Sequence, residues 1–113
     1  MESLNVTVET QARRTVAHLR GEIDLATAEL LKTSLSTMIE PPSVSALEVD
    51  LSQVSFIDCS GLRVLMALKR SMQSRGGTLS LAHLSPSAER LLAAAGLDDH
   101  LTARERRGPL TPA

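Results

Sequence analysis

A strict alternation of apolar and polar residues over Leu47–Leu51 constrains the fold of this chain more than any other feature. Such an alternation is typical of a half-buried β-strand, which we expect to run from about Ala46 to Leu51. A helical period follows over Cys59–Ser74, and a second short strand is expected over Thr78–Ala82. Two strands joined by a helix favour a parallel pair with a helical crossover.

The stretch between the first of these strands and the helix, Ser52–Asp58, is expected to be a connector. Its apolar residues Val54, Phe56 and Ile57 are expected to be buried. Phe56 is the only aromatic residue in the chain, so the core must be built from aliphatic side chains.

The remaining elements are predicted from patterns before and after this unit. Alternation and a turn predict a hairpin of Asn5–Glu9 and Thr15–Arg20, and apolar spacing predicts a helix over Thr27–Ile39. Ser85 and Pro86 are typical of a helix start and predict a last helix, which Gly96 closes. The predicted fold is α/β, with order β-β-α-β-α-β-α and a mixed, mostly parallel sheet of four to five strands.

Length and composition limit the possible functions. The 113 residues suffice for one domain, expected over residues 1–103, with a flexible polar tail over 104–113. The net charge of -1 and the near absence of aromatic residues disfavour direct nucleic-acid binding. No residue spacing predicts a metal or cofactor site, and no segment predicts membrane insertion or a signal peptide. We therefore expect a cytoplasmic protein.

The transition from strand to helix holds the residues best suited to chemistry, Asp58, Cys59, Ser60 and Gly61. If a helix starts near Cys59, its first N–H groups favour a phosphate or a thiolate there. The carboxylate of Asp58 would instead raise the pKa of a neighbouring thiol. The simpler alternative is that Asp58 or Ser60 caps the helix and Cys59, the only cysteine, is a small half-buried hydrophobic residue.

Three blocks resemble the STAS domain family, whose members include bacterial anti-sigma factor antagonists. The run Asp58–Leu62 resembles the family signature around its phosphorylatable serine. Leu19–Ala28 is similar to the family's Gly-Glu-Leu-Asp segment, and Ser85–Leu97 is similar to its last core helix. The blocks occur in the family's order and together cover nearly all of residues 5–103.

The resemblance implies an anti-sigma factor antagonist that binds a serine-kinase type of anti-sigma factor and thereby releases a sigma factor. Family members are phosphorylated by that kinase, and the added charge of about -1.5 to -2 ends the interaction. The resemblance implies no enzymatic activity. The residues that would contact the partner are those around the signature, together with one aspartate from the second block: Asp24, Asp58, Cys59, Ser60, Gly61, Leu62 and Arg63.

The chain departs from the family pattern because Cys59 stands at the phosphoserine position. Three readings stay open: a constitutively active antagonist, a phosphosite displaced to Ser60, or a redox-sensing thiol at Cys59. Alternative functions are an accessory STAS subunit of a transport or stress-signalling complex, and an enzyme with Cys59 as nucleophile and His83 or His18 as base. The sequence does not predict the oligomeric state.

Overall fold

The computed structural model describes residues 3–11 and 14–96, and within them it confirms the predicted element order. The predicted tail at 104–113 and His100 lie outside the described residues. No helix in the described part of the chain is both long and apolar enough to span a bilayer. The elements are β1 Asn5–Gln11, β2 Arg14–Ile23, α1 Leu25–Ile39, β3 Ala46–Ile57, α2 Cys59–Ser74, β4 Thr78–Ala82 and α3 Pro86–Ala95.

Among the described residues, the strands form one four-stranded sheet in the order β1-β2-β3-β4. The hairpin pair β1 and β2 is antiparallel, whereas β2 with β3 and β3 with β4 are parallel. Helices α1 and α2 provide the crossovers that parallel neighbours need. The predicted mixed, mostly parallel sheet is therefore confirmed.

The predicted connector at Ser52–Asp58 is wrong, because β3 continues to Ile57. Its pairing with β2 shifts register twice, between His18 and Arg20 and between Gly21 and Glu22. Each shift places an extra residue on β3, as a β-bulge does, and so interrupts the alternation that predicts a strand.

The prediction that Phe56 is buried is also wrong. Its side chain is 46% exposed, although Val54 and Ile57 are buried as expected. The bulges explain the difference, because they change which side chains of β3 point toward the core. An apolar residue in an irregular strand cannot be assigned to a face from its sequence position alone.

One apolar core fills the space between the sheet and the helices. Helix α1 contributes Leu31, Leu35 and Ile39, at the spacing of a single helical stripe. From the centre of the sheet, Leu47 and Val49 are buried on the same side. This arrangement fixes α1 and α2 beside each other on one face of the sheet. Each helix begins two residues after its strand ends, so the two helix starts lie near the ends of β2 and β3.

The last described helix has the boundaries that its sequence predicts. Ser85 is the N-cap and accepts a hydrogen bond from the N–H of Ala88, while Pro86 occupies the first turn. Gly96 ends α3 in the left-handed conformation at φ 71°, which glycine adopts without steric cost.

Candidate functional site

Two helices begin side by side at one edge of the sheet. The last residues of β2 and β3, Ile23 and Ile57, are paired in register, and the N–H of Asp58 donates to the carbonyl of Ile23 at 3.1 Å. The next residue after each strand is an aspartate, Asp24 or Asp58, and each is a helix N-cap. Parallel pairing therefore brings together two carboxylates that lie 34 positions apart in the sequence.

Asp24 caps α1 through a reciprocal capping box. Its carboxylate accepts from the N–H of Thr27 at 3.2 Å, and the Thr27 hydroxyl accepts from the N–H of Asp24 at 3.0 Å. The same hydroxyl lies 3.0 Å from the carbonyl of Glu22, to which it can donate. Asp24 and Thr27 thus both take part in the cap, and the start of α1 is fixed to the end of β2.

Asp58 caps α2 by accepting from the N–H of Ser60 at 2.8 Å. The carboxylate of Asp58 therefore already pairs with one of the N–H groups that were expected to favour an anion at this helix start. Cys59 is exposed at the first helical position, and Ser60 is partly buried at the second. The prediction that Asp58 or Ser60 caps the helix is confirmed for Asp58, whereas Cys59 is not a buried core residue.

Gly61 is needed for packing at the first turn of α2. A Cβ atom at this position would lie 2.4 Å from Cγ2 of Ile23 and 3.1 Å from Cγ1 of Ile57. Real Cβ atoms do not approach other atoms so closely, so the missing side chain lets α2 lie directly on the paired strand ends. Gly61 thus faces the core.

Leu62 is also buried, with 6% of its surface exposed. Gly61 and Leu62 therefore support the site from beneath, and their contact with a partner stays a prediction. Arg63, the next residue, is exposed.

No sequence pattern indicates an exposed apolar side chain at this edge. Leu25, the first residue of α1, is 79% exposed and occupies the position in α1 that Cys59 occupies in α2. Leu25 lies six positions before Leu31, the first buried residue of α1, and no local pattern marks it as exposed, so only the tertiary structure identifies it. We call this surface the N-cap face and define it by Asp24, Leu25, Asp58, Cys59, Ser60 and Arg63.

Helix α3 is also joined to the end of β3. The N–H of Ile57 donates to the hydroxyl of Ser87, in the first turn of α3, at 3.2 Å. The side chain of Ser55 lies 3.3 Å from the carbonyl of Gly21 and links β3 to β2. These contacts hold the strand ends that carry the N-cap face in a fixed arrangement.

The described residues do not form the nucleophile–base pair that an enzyme using Cys59 would need. His83 is exposed, and within residues 3–11 and 14–96 it makes no side-chain hydrogen bond with Cys59. His18 is instead bonded to Asp50 and Glu9. No group of three or more His, Cys, Asp or Glu side chains in these ranges is arranged to hold a metal ion.

Comparison with known proteins identifies the family. The STAS domain model matches residues 5–108. The anti-sigma-B factor antagonist of Bacillus subtilis is 31% identical over 97 residues, which cover 86% of this chain and 87% of that protein. A crystal structure of an anti-sigma factor antagonist from Mycobacterium paratuberculosis has a TM-score of 0.75 and 30% identity, covering 88% of this chain and 83% of that one.

The fold is also that of SpoIIAA from Bacillus, another anti-sigma factor antagonist. The unphosphorylated form has a TM-score of 0.74 and 22% identity, and covers 96% of this chain and 98% of that one. The phosphorylated form has a TM-score of 0.68 at the same 22% identity, and covers 96% and 100%. The element order, the mixed sheet and the match over residues 5–108 agree, and this chain belongs to the STAS domain family.

Proposed function

We propose that this protein is an anti-sigma factor antagonist that binds an anti-sigma factor through the N-cap face. The observation that carries the proposal is the pairing of two aspartate-capped helix starts, which presents Leu25 and Cys59 at equivalent exposed positions. An exposed apolar side chain beside carboxylates suits a protein partner with an apolar pocket and basic surroundings. Relatives that span most of the chain are anti-sigma factor antagonists.

We further propose that the partner is a serine-kinase type of anti-sigma factor. A relative of the same fold, SpoIIAA, occurs in phosphorylated and unphosphorylated forms. A phosphate on the first turn of α2 would add a charge of about -1.5 to -2 next to Asp58 and near Asp24. Like charges at a closed interface are costly, so such a phosphate would separate the partners.

Cys59 changes how such a switch operates in this chain. It stands where the family resemblance places the phosphoserine, and it is exposed at the first helical position. A thiol lacks the hydroxyl to which a serine kinase transfers phosphate, so the antagonist stays active in the presence of the kinase. Ser60 is a poorer substitute, because it is partly buried and points about 100° away around the helix.

Phosphorylation by the cognate kinase tests this reading directly. The protein is incubated with the anti-sigma factor and ATP, and its intact mass is measured. We expect no added phosphate on the wild type and one phosphate on Cys59→Ser. A stoichiometric phosphate on the wild type that Ser60→Ala abolishes would establish the displaced site and refute constitutive activity.

Binding affinity tests the N-cap face independently of phosphorylation. We expect Leu25→Ser to weaken binding to the anti-sigma factor by about fivefold or more, as truncation of a buried apolar contact does. Leu30→Ser is the matched control, because Leu30 lies on the same helix, is 51% exposed and is outside the N-cap face. Equal affinities for the wild type and Leu25→Ser would exclude this side chain from the interface.

The exposure of Cys59 also supports a second candidate, a thiol that regulates binding through oxidation. Mild oxidation of the wild type would then lower its affinity for the anti-sigma factor, and Cys59→Ala would be insensitive to the oxidant. Unchanged affinity after complete oxidation of Cys59 would eliminate redox control.

A further inference from the structure

An arc of polar side chains crosses the sheet on the face opposite the core, away from the N-cap face. It links three strands, β1, β2 and β3, through consecutive side-chain contacts of 2.7–3.1 Å. In order of contact, this polar arc consists of Asp50, His18, Glu9, Gln11, Arg14 and Glu48.

The polar arc surrounds an apolar residue, Val16. Pairing places Val16 opposite Glu9 on one side and Glu48 on the other, with Arg14 and His18 as its neighbours on the same face of β2. Val16 is only 5% exposed, and it does not belong to the apolar core between the sheet and the described helices. The arc therefore covers Val16, and its contacts are a structural part of this face.

His18 lies in the arc between two carboxylates. Its Nδ1 atom is 2.7 Å from Oδ2 of Asp50, and its Nε2 atom is 3.0 Å from Oε1 of Glu9. A neutral imidazole has one N–H donor and one lone pair, so it can satisfy only one of two carboxylates. The imidazolium has two donors, and this geometry therefore matches the protonated ring.

The charges around His18 support the protonated form. The hydrogen bonds that His18 donates to Glu9 and then to Asp50 raise the pKa of His18, against a smaller opposing effect of desolvation. The other charged residues that pairing places on this face are Arg14 and Arg20 on β2 and Glu48 on β3, while β4 contributes Thr78, Ser80 and Ala82. Arg14 is paired with Glu48 at 3.1 Å, which reduces its repulsion of His18.

The carboxylates of Asp50 and Glu9 differ in burial and in their other hydrogen bonds. The Asp50 side chain is 14% exposed, and its other oxygen accepts from the N–H of Ser52 at 2.9 Å. The Glu9 side chain is 51% exposed and lies on the edge strand β1. After deprotonation, the remaining N–H of His18 would therefore stay with Asp50, and the lone pair on Nε2 would face the carboxylate of Glu9 and repel it.

Among the described residues, β1 has few contacts beyond its backbone pairing with β2 and the packing of Val6 against the core. Six of its seven residues are exposed and only one is partly buried. Its N-terminal side is anchored, since Leu4 is 7% exposed and the backbone of Ser3 packs against Gly21 at a distance that excludes a Cβ atom. The opposite end, Glu9–Gln11, is fastened through the polar arc.

We propose that protonated His18 is a clasp that fastens the Glu9 end of β1 to β2 and β3, and that loss of its proton loosens this end of the strand. Water can reach the ring, because a cavity of about 250 Å³ adjoins it between Asn5, Thr7, Arg20 and Gln53. The clasp is separate from partner binding, so it does not depend on the proposed function.

The direction of the pH effect follows from linkage. The pKa of His18 is raised in the folded state above its ordinary value of 6.5, so the clasp is complete below about pH 6.5 and opens as the pH rises through the folded-state pKa. The pKa of Glu9 is lowered from 4.5, first by the hydrogen bond to His18 and then by that to Gln11. The clasp is therefore also lost in acid, below about pH 4.5 as Glu9 becomes protonated.

Amide hydrogen exchange measured by NMR tests the clasp in the full chain. Rates for Thr7–Gln11 are divided by the intrinsic rate at each pH, and the three histidine rings are titrated in the same samples. We expect protection of these amides to fall about two- to fivefold between about pH 5.5 and pH 8.5, as suits an exposed ion pair, with a midpoint at the pKa of His18.

Glu9→Gln provides the sharpest comparison. A glutamine side chain can accept from the imidazolium or donate to the neutral ring, so β1 should keep the same protection at both pH values. His18→Gln should lower protection at the acidic pH and remove the pH dependence, whereas His83→Gln, at an exposed loop histidine, should behave as the wild type. Protection that is flat with pH in the wild type, or an equal loss in Glu9→Gln, would overturn the proposal.

Discussion

At the residue scale, Cys59 and Gly61 of the signature segment have different roles although they lie only two positions apart. Cys59 is exposed and available to a partner, whereas Gly61 is buried and lets α2 approach the paired ends of β2 and β3. The two roles follow from the helix geometry, because residues two positions apart point to nearly opposite sides. The position of the exposed thiol thus depends on the absence of a side chain at Gly61.

Gly61→Ala should destabilise the protein by about 1–3 kcal/mol, since the added Cβ must displace Ile23 in a packed core. Urea unfolding followed by circular dichroism measures the change. Cys59→Ala is the control, because it introduces alanine in the same helical turn at an exposed position and should change stability by less than about 0.5 kcal/mol. Equal stability of the two variants would show that the helix does not need this close approach.

At the element scale, both ends of the helix pair are fixed by specific hydrogen bonds. The starts are held by the caps Asp24 and Asp58. At the other end, the guanidinium of Arg75 donates to the carbonyl of Ile39 and to those of Pro41 and Val44, at 2.9 and 3.0 Å. Arg75 thereby joins the end of α2 to the segment that leaves α1.

Asp24→Ala should cost about 0.5–2 kcal/mol of stability, because it removes the acceptor for the N–H of Thr27. Asp24→Asn keeps a capping oxygen and should be close to the wild type in thermal unfolding. With stability preserved, any loss of anti-sigma factor affinity in Asp24→Asn then reports on the charge alone. A full loss of stability in Asp24→Asn would contradict the capping role.

Arg75→Lys should destabilise the protein by about 1–2 kcal/mol, because one ammonium cannot reach three carbonyls in the geometry that the planar guanidinium provides. Arg70→Lys is the matched control, since Arg70 lies exposed on the same helix and makes no side-chain hydrogen bond to a described residue. Chemical unfolding of both variants measures the difference, and equal midpoints would mean that these bonds contribute nothing.

At the scale of the whole molecule, the two sides of the sheet are stabilised by different kinds of interaction. One side is covered by helices over an aliphatic core, and the other carries the polar arc over Val16. The apolar side does not titrate, whereas the arc contains His18, Glu9 and Asp50. For Asp50, burial raises the pKa, but the N–H of Ser52 and then His18 lower it more.

Global stability should therefore be greatest in mildly acidic solution. The raised pKa of His18 adds stability that is complete below about 6.5 and lost as the pH rises, while the lowered pKa values of Glu9 and Asp50 add stability that is lost as the pH falls through those values. The urea midpoint should decline from about pH 6 to about pH 9 in the wild type, and less so in His18→Gln. Parallel declines in the two proteins would assign the effect to other groups.

Most of the fold could be predicted from the sequence, because each element carries a local signal. The alternation over Leu47–Leu51, the helix start at Ser85 and the glycine at the end of α3 all have local physical causes. The end of β3 could not be predicted, because its two bulges arise from pairing with β2 and break the period of two. The exposure of Phe56 was missed for the same reason.

Less of the candidate site could be predicted from the residues themselves. The cap at Asp58 follows from local pattern, but the placement of Asp24 beside it requires parallel pairing of β2 and β3. The exposure of Leu25 has no sequence signal, because a leucine at the start of a helix is apolar whether or not it is buried. The partner of His18 was equally hidden, since the spacing between His18 and Asp50 contains no pattern that indicates contact.

The sequence by itself determined the element order and the helix caps, because each depends on residues that are adjacent along the chain. Only the tertiary structure decided which side chains meet across strands. It set Asp24 beside Asp58, exposed Leu25 and enclosed His18 between two carboxylates. These contacts depend on strand register, which is fixed by the packing of the whole core and not by any local pattern.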